Sequence, residues 1–151
     1  MEHASEDIPK KQFIIVKSLV LDATGKILFV RRKREWHTEA HNKWEFPGGK
    51  VDFGEAPEQT AVREAKEESG YDVEVTKLIP KIISSQWKFP DRISQQLIIC
   101  YVCKLIKGNA STEDHGVSEV KWFAMSEIPS TEECLPGTIE FIEEYKKHKT
   151  N

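Results

Sequence analysis

Hydrophobic and polar positions along the chain divide it into short, alternating segments of strand and helix character. From Phe13 to Leu21 the chain is rich in Ile, Val and Leu and reads as a buried strand. Asp22-Ala23-Thr24-Gly25 carries turn residues, and Lys26–Arg32 is a second strand, so the two are expected to form a hairpin. Residues 33–43 are polar and read as an exposed loop holding His37 and His41. Trp44-Glu45-Phe46 is a short apolar stretch closed by Pro47-Gly48-Gly49. Pro57 to Ser69 is predicted to be a helix. Pro57 suits its first turn, Ala61, Val62 and Ala65 can face a core, and Gly70 supplies the stop. Asp72–Lys88 is rich in β-branched residues but holds Pro80, which predicts two short strands or one bent strand. Ser94–Lys107 and Glu119–Ala124 are further strands, and Ser126–Pro129 is a brief helical turn. Thr138–Lys147 is an amphipathic helix with Ile139, Ile142 and Tyr145 on one face. Strands flanking one helix, with another helix closing the chain, predict an α/β or α+β fold with a mixed sheet between helices.

Size adds a single-domain expectation: a leader over residues 1–10, then one domain over 11–151. A folded chain of this length buries roughly 68–70% of the surface its unfolded form exposes, so it needs no disulfide or zinc to fold. No apolar run approaches the roughly 18 residues that span a membrane, and the acidic start Met1–Asp7 does not resemble a secretory signal. Of the three cysteines, Cys100 and Cys103 sit within an apolar run and read as buried strand residues. Free thiols without a signal point to the cytoplasm. The net charge of −3 provides no field to attract a nucleic-acid polymer. Locally, Arg31-Arg32-Lys33-Arg34 is basic and Asp52 to Glu68 is strongly acidic.

The acidic segment carries the chemistry. Glu64, Glu67 and Glu68 stand at i, i+3 and i+4 and share one helix face. Like charges so placed repel by roughly 0.2–0.5 kcal/mol per pair when exposed. A solvated helix face accounts for such a trio. So does a hard divalent cation, which takes oxygen ligands together with waters and substrate phosphates. The glycines ahead of the helix leave room for a carbonyl ligand or a close phosphate.

The stretch from Gly49 to Tyr71, GKVDFGEAPEQTAVREAKEESGY, resembles the Nudix box. Gly49, Glu55, Arg63, Glu64, Glu67, Glu68 and Gly70 fall in its register, while Ala65 and Tyr71 stand where larger aliphatics are usual. Trp44–Val51, Gly25–Arg32 and Glu119–Pro129 look like the MutT-type members, which hydrolyse nucleoside triphosphates. The likeness covers the chain from about Phe13 to Pro129.

It implies an α/β/α sandwich and a loop–helix–loop that holds catalytic Mg²⁺, with Mn²⁺ an alternative served by the same oxygen ligands. Glu67 and Glu68 would be metal ligands. Glu64 would be a ligand or would orient the attacking water, and the Gly48 carbonyl would add a ligand. Arg63 would pair with Glu55 and hold the loop to the helix, with Gly49 and Gly70 shaping its ends. A further acid from a distant loop would be Glu113, Asp114 or Glu119. Arg31, Arg32 and Lys50 are candidates for phosphate contact, although a charged strand edge equally explains the two arginines. Trp44, Trp87 and Phe89 are candidates for stacking a base, with core packing as the alternative. The implied reaction splits a nucleoside triphosphate into a nucleoside monophosphate and pyrophosphate. Hydrolysis of a nucleoside diphosphate-sugar and a non-catalytic nucleotide-binding module are the competing readings. An amide side chain near the last helix, used by oxidised-guanine enzymes to read the base, is missing from Leu135-Pro136-Gly137-Thr138.

Overall fold

The computed structural model describes residues 8–149. The leader expected over residues 1–10 lies outside that range up to residue 7, and Lys10 already opens the first strand. In chain order the elements are β1 (Lys10–Leu21), β2 (Ile27–Arg32), β3 (Trp44–Glu45), β4 (Gly48–Lys50), α1 (Pro57–Ser69), β5 (Tyr71–Phe89), β6 (Arg92–Gly108), β7 (Val117–Phe123) and α2 (Thr138–His148). One-turn 3₁₀ segments at Met125–Glu127 and Thr131–Glu133 lead into α2.

The sheet is mixed and runs β3-β2-β1-β6-β5, with β4 also on β1 and β7 also on β2. Its axis is the parallel pair β1–β6, in register from Lys10↔Ile93 to Leu21↔Lys104. The β1–β2 hairpin is joined only at Leu21↔Ile27. Beyond that point β1 takes β4 as its partner and β2 takes β7 and β3. Asp22 pins the turn, its carboxylate accepting the N–H groups of Thr24 and Lys26 at 2.9 Å each. The stretch expected as two short strands or one bent strand is the single long β5. Its register against β6 slips near Asp72, Thr76 and Pro80, so the strand absorbs the proline as a bend on an outer edge.

Alternation along the strands builds two cores. Ile15, Leu19, Ile27, Phe29, Ile98, Cys100 and Val102 face α2, where Phe141 and Ile142 cover them. Val16, Val20, Leu28, Tyr101 and Cys103 face α1, where Ala61 and Ala65 are fully buried. The molecule is therefore an α/β/α sandwich. Val62, expected to face the core, is exposed; Thr60 takes the buried place instead, bonded to Glu55 at 2.7 Å. Small residues on α1 let the helix lie close to the sheet, close enough for Ser18 Oγ to donate to the Ala61 carbonyl at 2.9 Å. The three cysteines are buried and free. Among the described residues no helix is long and apolar enough to cross a membrane.

Gly70 ends α1 in the left-handed conformation at φ 84°, its N–H returning to the Lys66 carbonyl at 2.9 Å. Segment 109–113 lies directly against this end. Ser111 N–H donates to the Ser69 carbonyl at 3.0 Å and Glu113 N–H to the Glu67 carbonyl at 2.9 Å. A Cβ on Gly70 would overlap Asn109 O and Ser111 Oγ. Gly70→Ala should thus meet both a backbone penalty of about 1–2 kcal/mol and a steric one. A urea melt should show a lower midpoint with an unchanged slope.

Candidate active site

Between α1, β4 and the α2 side of the sheet lies a cleft of about 250 Å³. Its acidic wall comes from α1. The helix starts cleanly because Pro57 needs no N–H partner and Gln59 accepts the Ala56 N–H at 2.8 Å. That register turns Glu64 and Glu68 toward β4, and both line the cleft. The glycines opposite make this approach possible. A Cβ on Gly49 would sit 2.5 Å from Glu64 Oε1, and one on Gly48 would strike the Val16 carbonyl. Gly48 N–H donates to Glu68 Oε1 at 2.8 Å.

Glu68 is almost completely buried, and its other oxygen accepts from Arg32 Nη2 at 2.6 Å. Arg32 is equally buried and is also hydrogen-bonded to Glu45, which in turn meets Lys17. Asp114 Oδ2 lies 3.4 Å from Arg32 Nη1. One guanidinium thus serves three carboxylates. Burial works against the charge on Glu45, but Arg32 and Lys17 outweigh it and hold its carboxyl at about 2. Glu68 receives less compensation. Burial, reinforced by the nearby Glu45 charge, lifts its carboxyl to about 7 despite Arg32. Burial also raises Glu64, against the pull of Arg63. Asp114 goes the other way: burial opposes its charge, yet the Gly116 N–H, a hydrogen bond with Glu68 and the Arg32 guanidinium hold it below its ordinary value.

Arg63 organises the outer side of the same helix. It meets Glu55 through Nε at 2.8 Å and Nη2 at 2.9 Å, Glu64 at 2.9 Å, Asp52 at 3.3 Å and Glu67 at 3.3 Å. Hydrogen bonds from Arg63 and Thr60 hold Glu55 down at about 2. This arrangement keeps the loop 52–56 against α1.

The remaining sequence candidates separate by position. Glu67 is not part of the cleft wall; its side chain is 43% exposed and drawn toward Arg63. Of the three distal acids, Asp114 reaches the cleft, while Glu113 is exposed and Glu119 is exposed and paired with Arg31 at 3.5 Å. Arg32 is not free for a phosphate, because the buried carboxylates occupy it. Arg31 lies outside the cleft wall, its guanidinium 5.1 Å from the Trp44 ring. Lys50 lines the cleft at the glycine end. Trp44 is core, edge-on to Phe123. Trp87 does line the cleft, and Phe89 packs behind it through His37. Neither loop histidine is simply exposed: His37 sits edge-on to Trp87 at 4.5 Å, and His41 Nδ1 accepts the Arg34 N–H at 2.9 Å. Lys17 and Arg34 line the cleft and were not singled out from the sequence. A lysine inside the apolar run IIVKSLV was the available signal, since such a charge demands a partner.

Among the described residues no three His, Cys, Asp or Glu side chains converge as a ready-made metal site. Glu64 and Glu68 nevertheless fit a hard divalent cation. They are neighbouring oxygen donors on one wall, and burial leaves both short of positive charge. Such a cation needs few protein ligands when waters and phosphates complete its shell.

The domain model of the NUDIX domain matches residues 12–145. The chain belongs to the NUDIX family. It is MutT-like within that family. It is 38% identical over 82 residues to an 8-oxo-dGTP diphosphatase of Escherichia coli, a match over 54% of this chain and 60% of that protein. The chain thus spans less than two thirds of that relative's length. It is 28% identical over 126 residues to a putative ADP-ribose pyrophosphatase of Bacillus subtilis, covering 82% of this chain and 57% of that one. Its fold is similar to that of a MutT NUDIX hydrolase from Burkholderia pseudomallei, with a TM-score of 0.73 at 22% identity, over 88% of this chain and 97% of the other.

Two outcomes follow from this geometry. Arg63→Ala should release the loop 52–56, lowering the urea midpoint and reducing any turnover by about 10–100-fold. For Glu68, the folded carboxyl sits at about 7 against an ordinary 4.5, so the folded chain holds that proton more tightly. Its contribution to stability is complete below pH 4.5 and is lost as the pH rises through 7. Metal-free protein should therefore lose denaturant resistance over that window, and Glu68→Gln should flatten the decline.

Proposed function

We propose that the protein is a Mg²⁺-dependent pyrophosphohydrolase that splits a nucleoside triphosphate into a nucleoside monophosphate and pyrophosphate. The observation that carries this reading is the pairing within one cleft of two charge-starved carboxylates, Glu64 and Glu68, with Lys17, Arg34 and Lys50. The cations attract a polyphosphate into the cleft, and the carboxylates answer it with the ligand set a divalent cation needs. The name of the E. coli relative, an 8-oxo-dGTP diphosphatase, adds support. Family membership brings the hydrolase chemistry with it.

Glu64 and Glu68 would hold the metal. When bound, it neutralises phosphate oxygens and acidifies a water for in-line attack. The protein's own groups do the remaining work. Arg34 and Lys50 bind and orient the phosphate chain, while Lys17 stays with Glu45. Arg32 fixes the Glu68 carboxylate from behind through a hydrogen bond at 2.6 Å. Asp114, whose carboxyl is held below its ordinary value, would serve as the distal acid, accepting a proton or orienting a water. The substrate in this reading is a small nucleotide. A single domain would account for the chain from about residue 11 onward.

A second reading, hydrolysis of a nucleoside diphosphate-sugar, is favoured by the name of the B. subtilis relative. A product assay separates the two. The panel comprises nucleoside triphosphates, ADP-ribose and a dinucleoside polyphosphate, each with and without Mg²⁺. Metal-dependent release of monophosphate plus pyrophosphate supports the triphosphatase; two monophosphorylated products from ADP-ribose replace it with the second reading. No turnover together with tight nucleotide binding would leave only a binding module. Glu67→Gln should remove nearly all turnover with an unchanged far-ultraviolet CD spectrum, because Glu67 can exchange Arg63 for a cation. Full activity in that variant would confine the ligand set to Glu64 and Glu68.

A further inference from the structure

The cleft has a second end, away from the carboxylates, which Lys50 borders from one side, its ammonium 3.8 Å from the ring centroid of Phe13, the β1 register partner of Gln96. Its floor is the apolar pair Ile15 and Ile98, which are register partners on β1 and β6, and Leu135 closes one side. One row further along the same sheet face, Gln96 and Ser85 are direct cross-strand partners, and both line the cleft. Trp87 follows two residues after Ser85 on the same face. Neither Gln96 nor Ser85 has a side-chain hydrogen bond among the described residues. The contrast with the neighbouring glutamine is direct. Gln95 points to the opposite face, where Gln12 donates to its Oε1 at 2.7 Å and its own Nε2 donates to Ser84 Oγ at 3.0 Å. The outward amide is satisfied and the cleft-facing amide is held open above an apolar floor. A few polar groups converging on an apolar pocket are what fixes the orientation of a small ligand.

We propose that Gln96, with Ser85, determines base specificity by hydrogen-bonding the edge of the substrate's nucleobase while Trp87 supplies a stacking plane; this rests on the triphosphatase reading above. An amide offers a donor and an acceptor side by side, so it matches a heteroaromatic edge that presents an acceptor next to a donor. It carries no charge, so it does not compete for the phosphates held at the glycine end. Trp87 is fixed in place by His37, edge-on at 4.5 Å, with Trp36 stacked on the far side of that histidine at 5.6 Å. Trp36 is 70% exposed, which leaves the outer rim of this cluster open to an entering ring. The amide that Leu135–Thr138 lacks is thus presented from β6 instead.

The test compares wild-type protein with Q96L and W87F. The kcat/KM is measured for each natural nucleoside triphosphate and for 8-oxo-dGTP with Mg²⁺. Tryptophan quenching by the corresponding nucleoside monophosphates is measured in parallel. Wild type should rank the bases over at least about a tenfold range, and Q96L should compress that range about tenfold, because a hydrogen-bonding site discriminates mainly through the group left unpaired. W87F should remove most of the quenching. A wild type without base preference, or a Q96L variant with the same ranking, overturns the proposal and leaves the hydrolase reading intact. Base-ranked quenching that depends on Gln96, without turnover of any triphosphate, retains this site and overturns the hydrolase reading.

Discussion

Arg32 is the group on which the site depends. It stands at the end of β2, almost without solvent, and its guanidinium joins Glu45 on β3, Glu68 on α1 and Asp114 from the segment before β7. One side chain thus ties a strand, the acidic helix and the distal loop to one another. A buried charge of this kind gives little net stability, because desolvation consumes most of the Coulomb gain. Its value is positional: removing the arginine would leave Glu45 to Lys17 and the buried Glu68 with the Gly48 N–H.

The same arrangement sets up the chemistry. With Lys17 assisting, Glu45 takes the larger share of the positive charge, and Glu68 is left with a carboxyl at about 7. Glu64 is pushed in the same direction by burial. The fold thus maintains a local deficit of positive charge next to a backbone made of glycines. Such a deficit is a cost in the empty protein and a source of affinity for a divalent cation and the phosphates it carries. Function and marginal local stability arise from one set of contacts.

The parts of this arrangement that were legible in the sequence are those fixed by local spacing. Helix α1 runs from Pro57 to Ser69 because proline and glycine mark its ends, and the i, i+3, i+4 spacing puts its glutamates on one side. Both sandwich layers followed from the order of strands and helices. What was not legible depends on pairing between distant segments. The role of Arg32 required knowing that β2 ends beside α1, and the selection of Asp114 over Glu113 and Glu119 required the docking of segment 109–116 onto the end of that helix. Val62 was misplaced because α1 buries a stripe of Thr60, Ala61 and Ala65 rather than its largest apolar residue. His37, in a loop of polar composition, gains aromatic partners from β5, and His41 accepts the Arg34 N–H within the loop itself.

The two ends of the cleft also constrain how a substrate can lie in it. Lys50 and the glycines of β4 oppose Ile15–Lys17 on β1, whereas Gln96 and Ser85 occupy the next row toward the β5–β6 turn. The apolar floor of Ile15 and Ile98 separates that second row from the carboxylates, and Lys50, over the Phe13 ring, borders both. A neutral ring is disfavoured at the first end, where buried carboxylates and lysines would lose their charged partners to it. In the proposed reading the polyphosphate would lie against α1 and the base toward Trp87. On that proposal the glycine-lined helix face and the amide on β6 would divide the work, the first binding the charged part of a substrate and the second selecting its base.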